Sequence, residues 1–242
     1  MAPLPLYKYV SAEVARKIIE GKKLKFTQPD NFNDPFDCVI DRLKFDLSDI
    51  GEEVENDLLK LKRKFGSSLD EITNEKLASI YLASISDKLK RSSVTCFSLS
   101  NDIPLMWAHY ADKHQGICIK FTLPLKTDIF NDIPFGKINS GYIDYGDKPP
   151  VNYLKDKREG ILNLLFTKAA FWRYEQEFRM TSLIGEGFYE FDPSFISGIT
   201  FGIKYPKDQI DAFKGIVKDE IPQEIQYDYA ERNILDLKIS KG

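Results

Sequence analysis

Ser93-Val-Thr-Cys-Phe-Ser98, Ile103-Pro-Leu-Met-Trp-Ala-His-Tyr110 and Gly116-Ile-Cys-Ile-Lys-Phe121 decide the fold of this 242-residue chain. The outer two read as strands. Between them Ile103, Met106, Trp107, Tyr110 and Ala111 follow the i, i+3, i+4, i+7, i+8 template of a helix with one buried stripe. Asn101 or Asp102 is expected to cap it, with Pro104 in its first turn and its end near Asp112. The unit is therefore strand, short helix, strand.

Working toward the N-terminus, Leu4 to Val10 is aromatic-rich and reads as a strand. Ser11 reads as the cap of a helix whose stripe is Val14, Ala15, Ile18 and Ile19 and which Gly21 ends. Leu24 to Thr27 is a second short strand, followed by the turn cluster Gln28 to Asp37. Residues 48–91 differ in character. Val54, Leu58, Leu61 and Phe65 mark one charged amphipathic helix, and Leu77, Ile80, Tyr81 and Ile85 mark another beyond Gly66-Ser-Ser68. They predict a helical hairpin, whose basic runs at Lys60–Lys64 and Lys88–Arg91 read as solvated helix ends.

Toward the C-terminus, strands are expected at Tyr142–Tyr145, Phe178–Ile184 and Ile196–Ile203, with a buried helix over 159–171. Ile210, Phe213 and Val217 mark a further helix. Two last strands, near 224–229 and 234–239, turn at Glu231-Arg-Asn233. Strict βαβ alternation is missing. The reading is α+β, a split or curved mixed β-sheet with helices packed outside it. It forms one domain over 1–242 with a helical insertion at about 43–91.

The formal net charge of −3 argues against bulk non-specific binding to nucleic acid, which needs a basic field. A hydrophobic share of 43% is enough for a sizeable core. Cys38, Cys96 and Cys118 form no Cys-x-x-Cys, which reads as a reduced, cytoplasmic protein. No run reaches the ~18 apolar residues of a membrane span, so no membrane contact is expected. Two histidines leave little room for a His-rich metal site.

Four segments carry candidate chemistry. A strand beginning at Glu175 would place Glu175, Glu177, Arg179 and Thr181 on one face. By spacing alone this reads first as a charged strand face with a structural Glu177–Arg179 pair. Second, it reads as two carboxylates dividing acid and base work. Ser98-Leu-Ser100 ends a strand and offers hydroxyls for capping or for a ligand. His109, Asp112 and His114 do not share one helical face, so a metal site is not expected. Asn33-Asp-Pro-Phe-Asp37 reads as an Asx turn or as the mouth of a pocket.

Together, Tyr7-Lys-Tyr9, Phe32-Asn-Asp-Pro-Phe36, Phe97-Ser98, Met106-Trp-Ala-His-Tyr110 with Gly116, and Trp172-x-Tyr-Glu-x-Glu-x-Arg179 resemble the bacterial family catalogued as domain of unknown function 2971. The resemblance runs from about residue 4 to about 205. More distantly, the order of elements resembles the ADP-ribosyltransferase fold. That resemblance implies NAD as substrate, bent into a cleft between two halves of the sheet.

Its catalytic residue would be Glu177, stabilising the oxocarbenium charge of the nicotinamide ribose, with Glu175 orienting or deprotonating the nucleophile. Lys8 stands where that fold usually has His or Arg, and with Tyr9 it would contact the nucleotide. Phe97, Ser98 and Ser100 stand at the second strand position, and Trp107, Tyr110 or Trp172 would stack on a ring. The implied partners are a nucleotide-type small molecule and a protein or nucleic-acid acceptor, as in a toxin or antiphage effector. A non-catalytic binding module on the same fold, or a metal-dependent nuclease, are the alternatives.

Overall fold

The computed structural model describes residues 4–65, 74–123, 139–182 and 184–242. In chain order the elements begin with β1 (Leu4–Val10), α1 (Ala12–Gly21), β2 (Lys23–Phe26), β3 (Leu43–Lys44), α2 (Glu52–Phe65) and α3 (Asn74–Arg91). Next come β4 (Ser93–Ser98), α4 (Pro104–Tyr110), β5 (Ile117–Leu123), β6 (Asn139–Tyr142), β7 (Asp144–Tyr145) and β8 (Val151–Asn152). They are followed by α5 (Lys157–Phe166), β9 (Thr167–Lys168), a 3-10 segment (Ala170–Glu175), β10 (Glu177–Ser182) and β11 (Gly187–Glu190). The chain closes with β12 (Ile196–Phe201), α6 (Ile210–Glu220), β13 (Gln226–Asn233) and β14 (Asp236–Lys241).

Eight strands form one sheet in the order β14-β13-β12-β5-β1-β4-β10-β6. Neighbours run antiparallel except β12 and β13, which run parallel, so the sheet is mixed and the class is α+β. β1 pairs with β5 along its whole length, from Leu4/Leu123 to Val10/Ile117. On its other side β1 meets β4 only at Tyr7/Ser98. β4 in turn pairs with β10 over all six residues. The two halves of the sheet therefore part beside β1, and this parting makes room for a cavity.

The period of two along β1 gives each face its partner. Leu6 and Val10 join Ala15, Ile18 and Ile19 of α1 and Phe213 and Val217 of α6 in the main core. Tyr9 faces the other way and packs with Met106 and Trp107 of α4. Ser11 caps α1 by accepting from the backbone N–H of Val14, as its position in the sequence predicts. Each fully buried aliphatic side chain in the main core contributes about 1.5–3 kcal/mol by leaving water.

The helical hairpin forms as α2 and α3, and its break falls in 66–73, outside the described residues. Its core is not self-contained. Val54 and Ile85 pack with Leu43, Tyr153, Leu154 and Leu164, so β8 and α5 complete the same layer.

Several expectations are corrected. The helix expected over 159–171 ends at Phe166, because Thr167 and Lys168 extend to pair with Asp144 and Tyr145. The strand expected from Glu175 begins at Glu177. Ile103 holds the N-cap position of α4 without a side-chain cap, while the carbonyl of Asn101 accepts from Trp107 Nε1 at 2.8 Å. The last hairpin turns at Ile234-Leu235 rather than at Glu231-Arg-Asn233. Among the described residues, no helix is long and apolar enough to cross a membrane.

Candidate functional site

Arg179 is the anchor of the site. Its neighbours Phe178 and Met180 point into the main core, so the strand period turns Arg179 and Glu177 to the opposite face. Arg179 has no exposed surface, and each of its five N–H groups has an oxygen acceptor. Nε donates to Glu177 Oε1 at 2.7 Å and Nη2 to Glu177 Oε2 at 3.0 Å. Nη1 and Nη2 donate to the two oxygens of Asp37 at 3.2 and 2.8 Å. The remaining N–H donates to the Leu165 carbonyl at 2.7 Å. Planar Arg can clamp two carboxylates this way where a point-charge Lys cannot.

Lys168 supplies the second cation. Its ammonium lies 2.6 Å from Glu175 Oε2, 3.3 Å from Glu177 Oε2 and 3.8 Å from Asp37 Oδ2, with the Trp172 ring 4.8 Å away. The sequence places Glu175 and Glu177 at a strand alternation. The chain reaches the same result by another route, since Gln176 between them is left-handed at φ 46°. That turn swings Glu175, the last residue of the 3-10 segment, back toward Lys168. A left-handed conformation in a non-glycine residue costs of order 1 kcal/mol and persists where its surroundings hold it.

Three carboxyl groups thus face two cationic side chains in direct contact. Burial works to raise the Glu177 carboxyl, but the charges of Arg179 and Lys168 outweigh it and hold Glu177 down at about 2. Burial works to lower Lys168, and Glu177 and Glu175 outweigh it, so its ammonium is held above the usual lysine range. A charged, solvated strand face is therefore not what Glu175, Glu177 and Arg179 form. All three are buried.

Lys8 is the third cation and stands at the parting of the sheet. Its ammonium donates to Thr95 Oγ1 and to the Cys96 carbonyl, both at 2.9 Å, and lies 5.0 Å from the Phe97 ring. Burial lowers its pKa, although Cys96 and Glu177 oppose that shift. The Cys96 thiol is pushed up by burial and by Glu177, so it stays protonated and hydrogen-bonds Glu177.

These groups line one cavity of about 470 Å³, within the usual size range of small-molecule sites. Of the residues singled out in the sequence, Lys8, Tyr9, Phe97, Ser98, Tyr110, Glu175 and Glu177 line it. Tyr110 donates to Glu175 Oε1 at 2.6 Å, so it holds a carboxylate. Ser98 donates to the Glu175 carbonyl at 2.7 Å and is fully buried, so its hydroxyl fixes the backbone before β10.

Two expected ligand contacts lie elsewhere. Trp107 is 0% exposed in the layer under α4, edge-on to Tyr9 at 5.1 Å, and has no free face to stack on a ring. Ser100 is outside the cavity lining and bonds Asp102. The turn at Asn33–Asp37 is both things the sequence allowed. Asp34 Oδ1 accepts from the Phe36 N–H at 3.0 Å as an Asx turn, while Asn33 and Asp37 line the cavity.

Sequence reasoning passed over Lys168, Thr95 and Tyr145. Tyr145 Oη accepts from the Glu177 N–H at 2.7 Å. The one signal for Lys168 is a lone cation in the apolar run Ile161-Leu-Asn-Leu-Leu-Phe-Thr-Lys-Ala-Ala-Phe171, shortly before two glutamates. Among the described residues, no group of three or more His, Cys, Asp or Glu side chains is placed to hold a metal ion. Where Asp37, Glu175 and Glu177 converge, the Lys168 ammonium already supplies the cation.

Neither a curated protein nor a solved structure matches the chain. The family described as a protein of unknown function (DUF2971) matches residues 106–180, the segment that supplies Tyr110, Lys168, Glu175, Glu177 and Arg179. The motifs at Tyr7–Tyr9, Phe32–Phe36 and Phe97–Ser98 lie outside the matched segment. Over that segment, from Met106 to Met180, this chain is similar to the DUF2971 family.

Proposed function

We propose that the cavity is an active site that cleaves the glycosidic bond of NAD and passes the ADP-ribose to a nucleophile, on a sheet of the ADP-ribosyltransferase kind. One observation carries this reading. Lys8, Ser98 and Glu177 sit on β1, β4 and β10, three successive strands of the sheet, and all three line the same cavity beside the place where β1 and β4 part.

The geometry divides the work differently from the residue resemblance. A carboxylate has about four lone-pair positions. Those of Glu177 are taken by Arg179, Lys168 and Cys96, whereas Glu175 spends two, on Tyr110 and Lys168. Glu175 is the carboxylate with capacity left for a ligand. As the bond from the ribose to nicotinamide breaks, its electron pair returns to the ring nitrogen and positive charge develops on the ribose. Glu175 stabilises that charge through its uncommitted lone pairs. Glu177 acts as a positioning residue that sets the field and place of Lys168. Lys8 keeps one N–H for a phosphate or ribose oxygen.

The test is incubation of pure protein with NAD and measurement of nicotinamide. Wild type is expected to release it, and Glu175→Gln to slow release about 10²- to 10³-fold, as when a preorganised electrostatic group is removed. Release undiminished in Glu175→Gln would overturn the assignment of Glu175.

A second reading, a non-catalytic binding module on the same sheet, is favoured by the complete pairing of Glu177. It predicts NAD binding without turnover. A metal-dependent nuclease has no such support, since Lys168 stands where the ion would be.

A further inference from the structure

We propose that His109 is the general base of the site, taking the proton from an O–H nucleophile that enters past α4. This rests on the NAD-cleaving reading above and names the group that reading lacks.

The cavity needs a group able to accept a proton, and geometry removes most of its lining. Every N–H of Arg179 is bonded, the ammonium of Lys168 lies among three carboxylates, and the lone pairs of Glu177 are taken. Tyr110 is committed to Glu175. The protonation states agree, because Lys168 and Arg179 hold their protons and burial keeps Tyr110 and Cys96 protonated.

His109 differs on each count. It lines the cavity, and its residue is exposed, so a solvent-borne nucleophile can reach it. Its ring nitrogens make no hydrogen bond among the described residues. The ring is held instead by aromatic contacts, 6.3 Å from Tyr110 and 6.4 Å from Tyr174 between centroids. Tyr174 continues to Trp172 at 5.9 Å and Trp172 to Phe171 at 5.6 Å. The imidazole is thus oriented without being consumed. The titratable groups that share its walls are Tyr7, Lys8, Tyr9, Lys25, Asp37, Cys96, Tyr110, Lys168, Glu175, Glu177 and Arg179, with Tyr174 against its ring. Imidazole is the side chain whose charge ordinarily changes between pH 5 and 8.

The step balances. The bond from C1′ of the ribose to the nicotinamide nitrogen breaks and its electron pair goes to the ring. The nucleophile oxygen bonds C1′, and its proton passes to His109, which later returns it to solvent.

The experiment follows nicotinamide release from NAD between pH 5 and 9, with water alone or with added methanol, for wild type and His109→Gln. The expected wild-type rate falls as pH drops, as a general-base step requires. His109→Gln should be slower by about 10²-fold or more, as when a general base is lost, should lack that acid limb, and should keep the wild-type Tm. In methanol the product should include the methyl riboside. If His109→Gln keeps the wild-type acid limb, the role of His109 is overturned while the NAD-cleaving reading stands. If wild type releases no nicotinamide in either solvent, both are overturned.

Discussion

The Arg179 guanidinium spans both carboxylate oxygens of Glu177, Nε to Oε1 at 2.7 Å and Nη2 to Oε2 at 3.0 Å, from two residues along the same strand. The same guanidinium holds both oxygens of Asp37, 142 residues away in sequence. It therefore ties the turn that walls the cavity to the strand that carries its charge. Arg179→Met is expected to cost about 3–5 kcal/mol, because it leaves two buried carboxylates without their partner. Arg179→Lys should recover little of the loss, lacking the fork. Urea unfolding of the two variants checks this.

Acid should unfold the protein through the same cluster. Glu177 is held at about 2 against an ordinary value of 4.5. Between those values the unfolded chain binds a proton at this position that the folded chain does not. Its contribution is thus complete above about pH 4.5 and is lost as pH falls toward 2. Stability measured from pH 6 to pH 2 should fall across that window, and less steeply in Glu177→Gln.

Tyr110→Phe removes one hydroxyl whose bond to Glu175 is 2.6 Å long. A net loss of about 1 kcal/mol in stability is expected, with the fold kept. The freed lone pair of Glu175 loses its orientation, so nicotinamide release should slow while NAD affinity changes little. Unchanged turnover would separate Tyr110 from the chemistry.

Trp107 gives the opposite expectation. Its ring is fully buried under α4, so Trp107→Ala should destabilise the protein by about 3–5 kcal/mol through the cavity it leaves. Trp107→Phe should retain most of the stability and the wild-type affinity for NAD, measured by calorimetry. A selective loss of affinity in Trp107→Phe would return the ring to the ligand site.

Much of this fold is legible in the sequence. The stripe from Ile103 to Ala111 fixes α4 and puts Trp107 in its buried layer. The periodicity of Val54 to Ile85 gives α2 and α3. β11 is not legible, because Gly187-Phe-Tyr-Glu190 has no partner until Lys23–Phe26 arrives from the far end of the chain. In the site, strand alternation predicts that Glu177 and Arg179 share a face. It does not predict their burial, which depends on Asp37 and Lys168 arriving from separate segments. Glu175 joins them through the left-handed Gln176, a conformation that Gln does not signal. Composition and period see single elements, and the charge cluster exists only between elements.

NAD turnover by pure wild-type protein and by Glu175→Gln, followed as nicotinamide released, tests the account most directly. Release is expected from wild type, with a loss of about 10²-fold or more in Glu175→Gln, the fold being kept as judged by circular dichroism. Absence of release by wild type, or equal release by the two, would contradict it.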